Sequence, residues 1–281
     1  MRRKTPLNDI HKDYDGHMIE FAGWDMPLYY TGIIDEHEAV RNGVGIFDVS
    51  HMGKIEIRGK DALVNLQRLL VSNIVRISIF QVKYSALCYS DGGIVDDVTV
   101  YRIAEDGFLL CANASNTEKD YQWISKNIEG KVEVSNRSPE YVQLAIQGPK
   151  SFEVLQKVTS IPLSQIKYYW SVQTSAGEIP TVISRTGYTG EDGFELYFSP
   201  KDAVEIWERL MKEGKPFGIK PVGLGARDSL RLEMGFPLYG HELDERHTLL
   251  EAGFERNSLD LKWLDKEFPV PIMIFTKRTE K

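Results

Sequence analysis

Apolar and polar residues alternate along Lys54-Ile55-Glu56-Ile57-Arg58, and that period of two predicts a strand. Before it, residues 33–41 place Ile33, Ile34, His37 and Val40 at helical spacing. After it, residues 62–70 read as an amphipathic helix, followed by three strands over 82–89, 94–103 and 107–112. Asp91-Gly92-Gly93 is the turn between the first two, because glycine adopts positive φ freely. Residues 118–128 predict a helix closed by Gly130, and 131–134 a returning strand. Residues 54–135 thus form a self-contained β-α-β-β-β-α-β block of α+β type.

A second series begins at Val142. Residues 142–146, 180–184 and 194–198 predict strands. Gly148-Pro149-Lys150 opens a helix with proline early, where its missing N–H costs nothing. Ser199-Pro200-Lys201-Asp202 reads as a capped start of a helix running to Glu213 and stopped by Gly214. Another helix begins over 226–234. Beyond Asn257 the periodicity weakens, and Phe268-Pro269-Val270-Pro271 allows at most an edge strand.

The stretch richest in chemistry is Arg185-Thr186-Gly187-Tyr188-Thr189-Gly190-Glu191-Asp192-Gly193-Phe194-Glu195. Glycines at spacing three let the backbone approach a flat ligand closely. A strand-edge carboxylate beside such a loop, here Glu195, can accept two parallel hydrogen bonds from an amidine-like ring edge, as in guanine or a pterin. The alternative is a glycine-rich hairpin with a solvated Glu.

Composition narrows the classes. The chain has 281 residues, 42% hydrophobic and 27% charged, enough for a large core and two domains in a soluble globular protein. A formal net charge of −7 argues against nucleic acid and against a basic membrane-binding patch. Cys88 and Cys111 have no metal-ligand spacing and sit in apolar runs, as buried thiols of a reducing, cytoplasmic compartment do. No apolar run follows Met1-Arg2-Arg3-Lys4, so no signal peptide is expected. No Gly-x-Gly-x-x-Gly follows a strand, so no nucleotide-binding domain is expected, and the six histidines show no metal pattern.

The glycine-rich loop has companions: Phe21-Ala22-Gly23-Trp24-Asp25-Met26-Pro27-Leu28, Phe47-Asp48-Val49-Ser50-His51-Met52-Gly53, Gly92-Gly93-Ile94-Val95-Asp96-Asp97, Gln147-Gly148-Pro149, and Gly225-Ala226-Arg227-Asp228-Ser229-Leu230-Arg231. In this order the set resembles the T protein of the glycine cleavage system, an aminomethyltransferase family, over residues 5–253. The resemblance implies two intertwined α+β domains, largely antiparallel, with a tetrahydrofolate site between them. They are residues 1–53 plus 136–250, and 54–135. Residues 251–281 form a divergent tail where the family's C-terminal β-barrel is missing or incomplete. The resemblance further implies transfer of a methylene carbon from an aminomethyl-dihydrolipoyl carrier, the H protein, to tetrahydrofolate, with release of ammonia and no metal. The alternative is a truncated folate-binding relative of weak or absent activity.

Site residues carry over one at a time. Asp97, the second carboxylate of its motif, is implied beside the folate's reactive nitrogens, where it would act catalytically. Strand alternation turns Asp96 to the other face; otherwise both are solvated strand-start residues. Glu195, Tyr188, Tyr84, Asn113 and Arg227 are implied folate contacts. Arg227 has a second reading, an ion pair with Asp228, as Tyr84 does in the core and Asn113 in a turn. Glu36, His37, Glu242 and His247 read as solvated, and His51 as structural or channel-lining.

Overall fold

The computed structural model describes residues 2–254, so the expectations for the tail beyond 254 lie outside the described residues. The described residues divide into two compact units, residues 2–51 with 138–236, and residues 52–137 with 237–254. Residues 237–254, which the sequence reading gave to the first domain as far as 250, pack in the second unit.

In chain order the elements begin with α1 (Asn8–Asp13), β1 (His17–Phe21), β2 (Trp24–Tyr29), α2 (Ile33–Asn42) and β3 (Gly45–Asp48). Then come β4 (Gly53–Arg58), α3 (Ala62–Leu69), β5 (Val82–Cys88), β6 (Ile94–Ala104), β7 (Gly107–Ala112), α4 (Thr117–Asn127) and β8 (Glu133–Asn136). The chain returns through β9 (Val142–Gln147), α5 (Ser151–Gln156), β10 (Ser171–Ala176), β11 (Ile179–Ser184), β12 (Gly193–Phe198), α6 (Ala203–Gly214), β13 (Lys220–Pro221) and α7 (Leu224–Glu233). This is an α+β fold.

The first unit is built on a six-stranded sheet of order β10-β11-β12-β9-β3-β13, antiparallel except for the short β13–β3 pair. β1 and β2 make a separate hairpin. Its core gathers Ile46, Leu144, Ile146, Phe194 and Leu196 with α6. α6 buries Ala203, Ile206, Trp207 and Leu210, a spacing that keeps one helical face inward. Two expectations at its ends fail. Ser199 makes no side-chain cap, because Pro200 opens a 3-10 turn ahead of the helix. Gly214 does not stop the chain, which continues through a 3-10 turn at Lys215–Phe217 until Gly218 takes φ +75°.

The second unit carries a five-stranded antiparallel sheet, β5-β6-β7-β4-β8, with α3 and α4 covering it. Residues 52–137 interrupt the first unit, and they enter and leave side by side. β4 pairs with β8, and the Arg137 N–H donates to the Lys54 carbonyl at 2.8 Å. In the first unit the flanking backbone also meets, the Val49 N–H donating to the Gln143 carbonyl at 2.9 Å. Leu243 and Leu249 bury against Val71, Ala86 and Ile94. Gly93 is required there, since a Cβ would lie 2.0 Å from the Glu245 carbonyl oxygen.

Glu36 and the α2 face differ from the sequence reading. Ile33 and Ile34 are exposed, and the buried positions are Glu36 and Val40. Glu36 Oε1 accepts from the Tyr30, Thr31 and Gly32 N–H groups at 2.5, 2.9 and 3.3 Å, and Oε2 from the Gly223 N–H at 2.8 Å. It is a buried carboxylate satisfying backbone donors at two helix starts, which a one-sided apolar count cannot see. His37 is half-buried between Ser229 and Glu233 rather than solvated.

Candidate functional site

The six candidate residues fall into two sets, Tyr84, Asp97 and Asn113 in the second unit and Tyr188, Glu195 and Arg227 in the first. All six are half-buried.

The register of β5 against β6 assembles the first set. Ala86 opposes Asp97 and Tyr84 opposes Thr99, so Tyr84 and Asp97 stand two positions apart on one face. The Tyr84 hydroxyl donates to Asp97 Oδ2 at 3.0 Å, and Asn113 Nδ2 donates to Oδ1 at 2.8 Å. Asn113 follows β7, the other neighbour of β6. Burial, and then the charge of Asp96, push the Asp97 carboxyl up to about 7. A carboxylate in that range gives and takes a proton at neutral pH.

Asp96 is not solvated, and the Asn113 amide nitrogen that reaches Asp97 Oδ1 reaches Asp96 as well. Asp96 is fully buried. Its Oδ1 accepts from Asn113 Nδ2 at 2.9 Å and Asn116 Nδ2 at 2.6 Å, and its Oδ2 from the Asn113 N–H at 3.0 Å. Asp120, buried on α4, has its carboxyl pushed far above the usual range by burial, by the Asp96 charge and by a hydrogen bond with Asp96. Asn116 and Asp120 were missed in the sequence because their role depends on α4 docking behind β6.

Glu195 lies on β12, an interior strand between β11 and β9, and not at the sheet edge expected. Gln143 Nε2 donates to its Oε1 at 2.8 Å and Thr186 Oγ1 to its Oε2 at 2.5 Å. Gln143 and Thr186 are thus the side chains that orient it, and neither was singled out in the sequence. Tyr169, held at φ +60°, feels the charge of Glu195.

The glycines of the 184–193 loop serve the protein's own packing. A Cβ on Gly187 would meet the Gln147 side chain at 1.9 Å, and one on Gly190, at φ +83°, would meet Met234 at 2.4 Å. Arg185 pairs with Asp192 through two bonds of 2.8 and 2.6 Å and closes the loop. Arg41 ties it to α7, donating to the Thr189 carbonyl at 2.6 Å, Glu191 at 2.9 Å and Glu233 at 2.8 Å. That clamp brings Tyr188 beneath the Arg227 guanidinium, 4.7 Å from ring centroid to Cζ, with Phe236 stacked at 5.9 Å. Asp228 is engaged by Arg231 at 2.7 Å, so the proposed Arg227–Asp228 pair is replaced by one a turn along the helix.

Among the described residues no three His, Cys, Asp or Glu side chains group to hold a metal, and no helix is long and apolar enough to cross a membrane. The GCVT N-terminal domain family matches residues 7–258. The aminomethyltransferase of Thermoanaerobacter pseudethanolicus is 51% identical over 256 residues, covering 90% of this chain and 69% of that protein. That of Desulfitobacterium hafniense is 50% identical over 252 residues, 89% of this chain and 69% of that protein. The crystal structure of glycine cleavage system aminomethyltransferase T from Bartonella henselae superposes with a TM-score of 0.83 at 32% identity, covering 95% of this chain and 76% of that one. A heterotetrameric sarcosine oxidase from Corynebacterium sp. U-96 shares the fold alone, at 16% identity and a TM-score of 0.54 over 78% of this chain and 98% of that one. Identity near one half along most of the chain, with a family match over the same span, makes this chain a member of the aminomethyltransferase family, the glycine cleavage T proteins, and a transferase enzyme.

Proposed function

We propose that the chain transfers a methylene carbon to tetrahydrofolate from an aminomethyl group carried on the dihydrolipoyl arm of an H protein, releasing ammonia. The observation that carries the reading is Asp97, a half-buried carboxylate gripped by Tyr84 and Asn113 and raised to about 7. Such a group orients the folate N10 amine and takes its proton as the methylene bridge closes. Its negative charge also steadies the iminium-like carbon in transit. Glu195 accepts from the pterin's amidine edge, and Tyr188 offers a flat aromatic face with Arg227 beside it. The protein supplies orientation and charge, and the folate carries the one-carbon chemistry.

A folate titration on the full chain tests this, followed by turnover with a lipoylated carrier. Tetrahydrofolate or its 5-formyl analogue should raise the melting temperature, since a ligand of the folded state adds to its stability. Glu195→Gln should weaken folate binding by about 10–100-fold, the loss of a charge-assisted pair, with little change in the unliganded melting temperature. A folded chain whose melting temperature ignores saturating folate would sink the reading. Binding without turnover would leave a folate-binding relative.

A further inference from the structure

Asn113 uses its two amide hydrogens on two different carboxylates, Asp96 at 2.9 Å and Asp97 at 2.8 Å. Its backbone N–H is also held by Asp96 at 3.0 Å. The amide therefore cannot turn toward Asp97 differently unless Asp96 releases it. Behind Asp96 the Asp120 carboxyl is buried, and neither of its oxygens receives a hydrogen bond. A buried carboxylate with no donor is costly, whereas a protonated one can itself donate to Asp96. Asp96 thereby gains a fourth donor after Asn113 Nδ2, the Asn113 N–H and Asn116 Nδ2.

We infer that Asp96 is a positioning residue for Asp97: it fixes the Asn113 side chain against Asp97, with a neutral Asp120 carboxyl donating to it from behind. The inference rests on the reading of Asp97 given above. Asp96 touches no substrate in this scheme. It acts through Asn113 and through its charge, which disfavours a second charge on Asp97. Among the described residues, the other titratable groups around the cluster include Tyr84 on β5, Tyr89 just after it, Lys119 on α4, and Tyr239 and Glu245 in the segment after 236. Lys119 Nζ donates to the Tyr239 hydroxyl at 2.9 Å, and that hydroxyl donates to the Ile94 carbonyl at 3.1 Å. These partners hold the Lys119 charge beside Tyr239.

The test is a pH titration of carboxyl-13C aspartate signals in the full chain without folate, with Asp97 assigned by its loss in Asp97→Asn. In the wild type the Asp97 signal should titrate near 7. Asp96→Asn should lower that midpoint by at least about one pH unit, because the neighbouring charge is gone. Asp120→Asn keeps a donor and no charge, and should leave the midpoint within about 0.3. An unmoved midpoint in Asp96→Asn overturns the inference. So does an equal drop in Asp120→Asn, which would place the charge on Asp120. If Asp96→Asn fails to fold, the wild type decides. A midpoint at the ordinary carboxylate value of about 4 overturns the inference, and one near neutrality supports it. Folate is absent from the experiment, so failure to bind folate would overturn the proposed function and leave this result standing.

Discussion

At Asp97 chemistry and folding pull in opposite directions. Its carboxyl is raised to about 7 by burial and by Asp96, above the unfolded value of about 4. The folded state therefore holds the proton more tightly, and this group's contribution to stability falls as pH rises from about 4 through about 7. Asp97→Asn removes that loss and keeps the shape, with its amide able to face both Tyr84 and Asn113. It should match the wild type below about pH 4 and exceed it by on the order of 4 kcal/mol at about pH 8, while turnover falls ~10²–10⁴-fold. Thermal denaturation across that range checks the sign, and an Asn variant less stable at the alkaline end refutes it. Asp48 behaves the other way. Burial alone would push its carboxyl up, but His11 Nε2, donating at 2.9 Å, and Ser50 outweigh it and hold it below the usual carboxylate range. Its contribution is present above the unfolded value and lost as pH falls. His11→Ala strands that buried charge and should cost about 3–5 kcal/mol in denaturant unfolding, and a loss under about 1 kcal/mol would show the pair to be dispensable. Neither arrangement was legible in the sequence, because His11 and Asp48 lie far apart in the chain and the donors to Asp96 come from another element.

Elements were legible where one period ran uninterrupted. β4 alternates and was placed within a residue, and β5, β6 and β7 were bounded by glycine turns. α1 has only six residues, and β3 is buried at all four positions, so neither shows a period. Tyr84, Asp97 and Asn113 came together because adjacent strands carry them, whereas the surroundings of Glu195 depend on Gln143 from a strand distant in sequence. The 184–193 loop depends on α2 through Arg41, four of whose bonds reach Thr189, Glu191, Glu233 and Leu230. Arg41→Ala should free Tyr188 from its place under Arg227. Folate affinity should fall roughly tenfold, about 1.4 kcal/mol, and amide exchange at 188–191 should quicken. Unchanged exchange in that loop would show that Arg185–Asp192 holds it alone.

For the whole molecule, each unit has its own core, so damage can be confined. A chain ending after Phe236 lacks Leu243 and Leu249, each worth about 1.5–3 kcal/mol of burial against Val71, Ala86 and Ile94. Hydrogen exchange should then show lost protection in β5 and β6 with β9 and β12 unchanged. Uniform loss would make the two cores one cooperative system. The interruption of the first unit by residues 52–137 has a further result for a chain made from its N-terminus. β3 emerges early and is buried in the finished sheet, yet both of its partners, β9 and β13, are translated later. At about 5–20 residues per second, the ribosome leaves β3 unpaired for roughly five to twenty seconds before β9 arrives, while the strands of the interrupting unit can already close on one another. The order of synthesis thus runs against the order of the sheet, and the nascent chain carries an orphan strand that a trigger-type chaperone would have reason to shield.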